Sequence, residues 1–192
     1  MMVILFGLAG SGKSTQGQIL AKKYDMEWLS VGQVLRETGK FDATLEKGEL
    51  VDDDVVIKIM KAKIESVKKY GKDIILDGFP RDKYQARWVV ENLAEEIETA
   101  VVLEVPKDEL MVRIMARGRE DDTRGVIEKR FRVVEQNIYS ILYLLEKGGV
   151  RIRTISGSGE ITTVTRRLER VLFGEKRNRL TRRRMSLSKR RK

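Results

Sequence analysis

Four short runs of apolar, β-prone residues predict the strands of a buried sheet. Three of them are continuous rather than alternating and cover 3–6, 74–76 and 101–103, the last followed by Val105. A continuous apolar run is typical of a strand that is covered on both faces. A fourth, shorter strand is predicted over 151–155. The sheet is therefore expected in the interior of the protein.

Helical periodicity fills the intervals between these strands. Helices are predicted over 14–24, 55–69, 84–93, 125–146 and 161–173. Strands that alternate with helices favour a parallel sheet with helices on both faces, so the expected fold class is α/β. A chain of 192 residues with 41% hydrophobic content has the size of one compact domain, which we place at 1–173.

The helix over 125–146 has the clearest pattern, because its apolar residues recur at steps of four and three. The stripe consists of Ile127, Phe131, Val134, Ile138, Ile141 and Leu145. It predicts a helix face that packs in the core. Asp122 or Thr123 is expected to cap the start of the helix, and Gly148 with Gly149 to end it. In the same way, the acidic run 52–54 is interpreted as the start of a helix rather than as a metal site.

A phosphate-binding loop follows the first strand and precedes the first helix. Residues 7–14 read Gly-Leu-Ala-Gly-Ser-Gly-Lys-Ser and match G-x-x-x-x-G-K-[ST] in the structural context that this motif requires. Glycines let backbone N–H groups surround phosphate oxygens, and Lys13 adds a positive charge for the outer phosphates. The predicted nucleotide contacts are Gly7, Gly10, Ser11, Gly12, Lys13, Ser14 and Thr15. Ser14 or Thr15 would hold Mg²⁺, and spacing alone does not choose between them.

A second motif, Asp77-Gly78-Phe79-Pro80-Arg81, follows the strand 74–76. Residues just past the carboxyl end of a parallel strand line the crevice where ligands bind. Asp77 is expected to contact Mg²⁺, partly through water, and Arg81 to bind a phosphate. The chain has no Cys and no His, which excludes thiol and imidazole chemistry and zinc sites built from those ligands.

The net charge of +10 lies almost entirely in a C-terminal tail. Residues 174–192 hold ten Lys and Arg against one Glu, which leaves the rest of the chain close to neutral. We predict that this tail is disordered and that it attracts RNA or an anionic surface without sequence preference. The chain shows no signal peptide and no apolar stretch of about 20 residues, so a soluble cytoplasmic protein is expected.

Taken together, the motifs resemble the adenylate kinase and nucleoside monophosphate kinase family. The resemblance extends from Val3 to Phe173 and is carried by 7–15, 32–36, 48–51, 77–81 with Gln85, and 117–122 with Arg130. It implies a P-loop NTPase-type three-layer fold with a central parallel five-stranded sheet. It also implies a monophosphate-binding helical insertion at about 31–60 and a short lid at about 117–124. The implied reaction converts ATP and AMP to two ADP with Mg²⁺, in a chain expected to be a monomer.

Residue roles follow from the same resemblance. Arg36 and Arg81 match the arginines that hold the acceptor phosphate, whereas Arg117, Arg119 and Arg130 match those that close over the transferred group. Lys13 joins Arg81 and these three as the implied catalytic set. Arg113 and Arg117 are implied contacts of ATP. The implied acceptor site comprises Val31, Gly32, Arg36, Val51, Gly78, Phe79, Arg81, Gln85, Arg119 and Arg130.

The acceptor base is the least constrained feature. Gln85 matches a family glutamine that reads adenine, and its amide offers one donor and one acceptor for that base. Val31 replaces the usual threonine and leaves a pyrimidine monophosphate kinase as an alternative. A nucleotide-gated RNA-binding or assembly factor that uses the basic tail is a second alternative. The interval from Arg36 to Gly48 is also about two helical turns shorter than in the family pattern. The acidic pair 121–122 matches either acids that tether the lid or acids that start a helix.

Overall fold

A computed structural model of the chain describes residues 1–47, 50–117 and 123–174. The predictions for 48–49, for lid residues 118–122 and for the tail 175–192 lie outside the described residues. Arg117 belongs to a helix, but its side chain is also outside the description.

A single five-stranded sheet of parallel strands forms the centre of the described protein. Its strands are β1 (Met2–Phe6), β2 (Glu27–Ser30), β3 (Ile74–Asp77), β4 (Ile97–Glu104) and β5 (Ile152–Ser156). Their order across the sheet is β2-β3-β1-β4-β5, and every neighbouring pair is parallel. The strand ends that follow the chain direction therefore share one edge, which is where the loop after β1 and the loop after β3 meet.

Helices connect the strands and cover both faces of the sheet. They are α1 (Lys13–Tyr24), α2 (Val31–Glu37), α3 (Asp42–Glu46), α4 (Asp53–Lys68), α5 (Lys83–Leu93), α6 (Lys107–Arg117), α7 (Arg124–Lys147) and α8 (161–174). In the described part of the chain, no helix combines the length and the apolar character needed to cross a membrane.

The side chains of β1 show how the core is divided. Met2, Ile4 and Phe6 pack on one face with residues of α4, α5 and α7, whereas Val3 and Leu5 pack on the other face with residues of α1 and α8. All five are buried. The alternation is that of a strand, and it is apolar throughout because both faces meet helices. The α/β class and the five-stranded parallel sheet are therefore confirmed.

The four predicted strands and five predicted helices are all present, but β2, α2, α3 and α6 were not found as separate elements from the pattern. Strand β2 lies at the sheet edge, and Leu29 is its one buried residue. Helix α2 has seven residues and α3 has five, too few for a helical period to repeat. Short or peripheral elements of this kind carry little periodic signal.

The expectation that the whole apolar stripe of α7 lies in the core needs one correction. Ile127, Phe131, Ile141 and Leu145 are buried. Val134 and Ile138 are instead half-buried and line a cavity, because the middle of α7 passes alongside it, although Ile138 also packs against the core. The predicted caps are confirmed, since Thr123 Oγ1 accepts the N–H of Val126 at the start of α7.

Candidate active site

A cavity of about 740 Å³ opens at the edge where the parallel strands end. The last residues of β1, β2 and β3 line it, together with the phosphate-binding loop and the segment after β5. Helix α7 contributes one wall through residues 130–141, and α6 contributes Arg113 and Ile114. The two sequence motifs therefore open into one space that is large enough for small-molecule substrates.

Backbone geometry in the phosphate-binding loop requires glycine at several positions. A Cβ atom on Gly7 would lie 2.6 Å from Ser11 Oγ and 2.7 Å from the carbonyl oxygen of Leu103, and the φ angle of Gly7 is +144°. Gly10 and Gly12 also have positive φ, at +80° and +93°. A side chain at Gly7 would therefore clash. The absence of a side chain at this position lets the loop curl closely.

The Lys13 ammonium group is held by the loop itself. Its Nζ donates to the carbonyl oxygens of Gly7 at 2.7 Å and Leu8 at 2.9 Å. Because the loop already holds the lysine in position, its positive charge is preorganised for an anion that enters the cavity.

Ser14 and Asp77 are in direct contact across the cavity floor. Ser14 Oγ donates to Asp77 Oδ2 at 2.6 Å, and Asp77 is 4% exposed at the end of β3. Thr15 also lines the cavity, and no hydrogen bond of its hydroxyl is described. A hydroxyl and a carboxylate that lie this close provide two hard oxygen donors, which is the donor type that Mg²⁺ prefers. The residues present therefore fit the implied Mg²⁺, with Ser14 the better placed of the two hydroxyl candidates.

Three arginines converge on one side of the cavity. Arg36, Arg81 and Arg130 all line it, although they come from α2, from the turn after β3 and from α7. A Cβ atom on Gly32 would lie 3.4 Å from Arg36 Nη1 and 3.5 Å from Arg81 Nη2, so the two guanidinium groups flank the same glycine. Arg36 also donates to the Gly32 carbonyl at 3.0 Å, and Arg81 Nε donates to the Gly78 carbonyl at 2.8 Å.

The pKa of Arg81 reports the electrostatics of this cluster. Burial lowers it, Asp77 raises it, and the charges of Arg36 and Arg130 lower it further. A guanidinium group remains protonated under these influences, so the lowered pKa reflects an unfavourable concentration of positive charge. Anionic phosphate groups are the ligands that would relieve it.

Arg113 faces the same cavity from α6 in a different environment. Its guanidinium group pairs with Glu109 and donates to the carbonyl oxygen of Gly157 at 3.1 Å. Glu109 Oε2 in turn accepts a hydrogen bond from Ser158 at 2.6 Å. This hydrogen bond is the largest cause of the lowered pKa of Glu109, with the positive charge of Arg113 adding to it. The Arg113 charge is therefore partly balanced within the protein.

The predicted site residues fall into three groups by their position. Those that line the cavity are Gly7, Gly10, Ser11, Gly12, Lys13, Ser14, Thr15, Gly32, Arg36, Asp77, Gly78, Arg81, Arg113 and Arg130. Those that are buried and do not line it are Val31, Val51, Phe79 and Gln85. The Arg117 side chain and Arg119 lie outside the described residues.

Gln85 is held by the protein on both sides of its amide. Its side chain is 1% exposed. Oε1 accepts the backbone N–H of Arg81 at 2.9 Å, and Nε2 donates to Asp53 Oδ1 at 2.8 Å. Sequence reasoning treated 52–54 as helix-start acids, which holds for Asp52, whose side chain accepts from the Val55 N–H. It missed the contact between Asp53 and Gln85.

Sequence reasoning also missed several lining residues. They include Trp28, Ser30, Gln33, Leu50, Val133 and the 157–161 segment. The segment after β5 had one available signal, because it follows a predicted strand at the same edge of the sheet as the two motifs. No sequence signal pointed to Trp28 or Ser30, because β2 was not predicted.

Comparison with known proteins points to one family. The family model described as adenylate kinase matches residues 5–150. An adenylate kinase of Synechococcus sp. (strain WH7803) is 32% identical over 178 residues, covering 87% of this chain and 96% of that protein. An adenylate kinase of Bacteroides thetaiotaomicron is 38% identical over 146 residues, covering 68% of this chain and 77% of that protein. These findings support neither a pyrimidine monophosphate kinase nor a nucleotide-gated RNA-binding or assembly factor.

Proposed function

The chain belongs to the adenylate kinase family and is a nucleoside monophosphate kinase; from this premise we propose that its acceptor is AMP, so that ATP and AMP give two ADP. The observation that carries the proposal is the junction of the two charged regions in one cavity. The phosphate-binding loop with Lys13 lies at one side and the Arg36, Arg81 and Arg130 cluster at the other. Two anionic substrates placed there would meet with their phosphates facing each other.

On the donor side, the loop presents backbone N–H groups and Lys13 to the outer phosphates of ATP. Because Lys13 is already fixed by Gly7 and Leu8, its charge is in place before the reaction begins. Arg113 faces the cavity from α6 with its charge partly balanced by Glu109, so we assign it to contact with the nucleotide rather than to charge neutralisation during transfer.

On the acceptor side, Arg36 and Arg81 would bind the monophosphate, and Arg130 would contact the group in transfer. The accepting phosphate oxygen is already ionised and needs no general base, so alignment and charge neutralisation supply the catalysis. Arg117 and Arg119 remain predicted members of this set. Ser14 and Asp77 would hold Mg²⁺, which would supply positive charge to neutralise the charge that develops on the phosphates.

The test is a rate measurement on the purified full-length chain. We expect ADP to form from ATP and AMP, and AMP to give the highest kcat/KM in a panel with CMP, UMP and GMP. We expect Lys13→Ala and Arg81→Ala each to lower kcat/KM by about 100-fold or more, because each removes a charge that contacts phosphoryl oxygens. Circular dichroism would establish that both variants remain folded.

Lys68→Ala is a control, because Lys68 is on α4 outside both the insertion at about 31–60 and the lid, and it is paired with Glu96 away from the cavity. It should leave the rate unchanged. Higher kcat/KM with CMP or UMP than with AMP would replace the proposed acceptor with a pyrimidine monophosphate. Full activity of both Lys13→Ala and Arg81→Ala would contradict the assignment of the site.

A further inference from the structure

The Gln85 amide is held in one orientation by partners whose chemistry is unambiguous. A backbone N–H such as that of Arg81 only donates, and at pH 8, well above its pKa of about 6, the ionised carboxylate of Asp53 only accepts. Gln85 Oε1 must therefore face Arg81 and Nε2 must face Asp53. Each end of the amide keeps unused capacity, namely one N–H on Nε2 and one lone pair on Oε1.

This remaining capacity matches one class of nucleobase. The pairing edge of adenine offers an acceptor at N1 and a donor at its exocyclic amine, which one amide N–H and one amide oxygen satisfy. Hypoxanthine and guanine present the reverse pattern, with a donor at N1 and an acceptor at O6. An amide that rotates by 180° serves either pattern in turn, whereas an amide held in one orientation is restricted to one.

We propose that Asp53 is a specificity-determining positioning residue, which holds Gln85 so that a 6-amino purine is accepted and a 6-keto purine is rejected. The inference rests on the proposed function and deepens it. It extends the site to the first turn of α4, which reaches α5 across a sequence separation of 32 residues. Because Gln85 is 1% exposed, the base must displace part of its cover to reach the amide.

Rotation of the amide would be costly where Gln85 lies. It would place Oε1 against the Asp53 carboxylate, and Nε2 against the Arg81 N–H, so both present hydrogen bonds would be lost. Little water reaches this side chain to replace them. Loss of a hydrogen bond to a charged group corresponds to a factor of roughly 10 to 100 in the population of the rotated state.

The test compares AMP with inosine monophosphate, which has the same sugar, phosphate and ring system and the reversed pairing edge. The ratio of kcat/KM for the two acceptors is measured at pH 8 in the wild type, Asp53→Ala and Asp53→Asn. Asp54→Asn is the matched control, because Asp54 is in the same turn of α4 and contacts the Tyr84 hydroxyl rather than Gln85.

We expect the ratio to fall about tenfold or more in Asp53→Ala, through a rise in kcat/KM for inosine monophosphate. Asp53→Asn should also lower it, because the new amide can rotate together with Gln85. Asp54→Asn should retain the wild-type ratio. A merely structural role for Asp53 would lower both rates and leave the ratio in place.

An unchanged ratio in both Asp53 variants, in proteins that still phosphorylate AMP, would overturn the inference and leave the proposed function intact. Absence of AMP turnover in the wild type would overturn both. If Asp53→Ala does not fold, Asp53→Asn serves as the test variant, because Asn has nearly the same volume as Asp. Calorimetric titration with each monophosphate in the absence of ATP gives a second measure of the same ratio.

Discussion

Replacing Asp53 with Asn should change how the stability of the protein depends on pH. The pKa of Asp53 is raised from 3.8 to about 6, by burial first and then by its hydrogen bond with Asp82, while the bond from Gln85 lowers it. Between these two values the folded chain binds a proton at Asp53 that the unfolded chain does not. The free energy of unfolding therefore rises as pH falls through this window, and falls again as pH increases.

The size of the effect follows from the two pKa values. One pKa unit corresponds to about 1.4 kcal/mol, so the complete shift sets an upper bound of about 3 kcal/mol. Solvent screening of this partly exposed carboxyl and its interaction with Asp82 lower the effect below that bound. Between pH 7 and pH 5 the folded state would therefore gain at most about 1.4 kcal/mol from this one carboxyl group. Asp53→Asn has no such group and loses this gain. Its stability relative to the wild type should therefore be highest near pH 8 and should decrease by up to about 1.4 kcal/mol between pH 7 and pH 5.

Urea unfolding monitored by circular dichroism at pH 8, 7, 6 and 5 measures this difference directly. Asp54→Asn removes an equal charge from the same turn, so it separates the local effect from that of one carboxylate fewer. A stability difference between wild type and Asp53→Asn that stays constant over this range would refute the reasoning. A difference that grows in favour of Asp53→Asn on acidification would show that the sign is wrong.

Two further substitutions test other parts of the site. Gly17→Ala should lower the free energy of unfolding by about 1 kcal/mol, because the new Cβ would lie 2.5 Å from Trp28 Cδ1. The cost of this overpacking exceeds the gain in helix propensity. An unchanged urea midpoint would contradict the prediction. Ser14→Ala should raise the Mg²⁺ concentration for half-maximal activity by about tenfold or more, because the partner of Asp77 is lost. A larger rise in Thr15→Ala than in Ser14→Ala would reverse the assignment.

Much of the fold could be predicted because its signals are local. Strands β1, β3 and β4 are covered on both faces, so each appears as a continuous apolar run. Strand β2 could not be found in this way, because it lies at the edge and exposes part of most side chains. The phosphate-binding loop was predictable for a different reason, since its conformation depends on glycines within one short segment.

The contacts within the site also divide into those that a local sequence pattern indicates and those that it does not. Arg36, Arg81 and Arg130 could be proposed together because each matches a phosphate-binding arginine in the motifs of the family that the sequence resembles. The bond from Gln85 to Asp53 could not, because nothing in either local pattern relates the start of α4 to the start of α5. Acidic residues before a helix are already explained by helix capping, and Asp52 does cap α4. The run therefore gave no reason to expect a further contact.

This difference reflects the physics of the two kinds of recognition. Attraction between a guanidinium group and a phosphate acts over several ångströms and tolerates small changes of direction, so residue type and approximate position are enough to predict it. Selection between adenine and a keto purine depends on which end of one amide faces the base, and that is decided by the amide's other partners. We therefore expect the residues that determine the acceptor base among the contacts of Gln85, such as Asp53, and not in the motifs that bind phosphate.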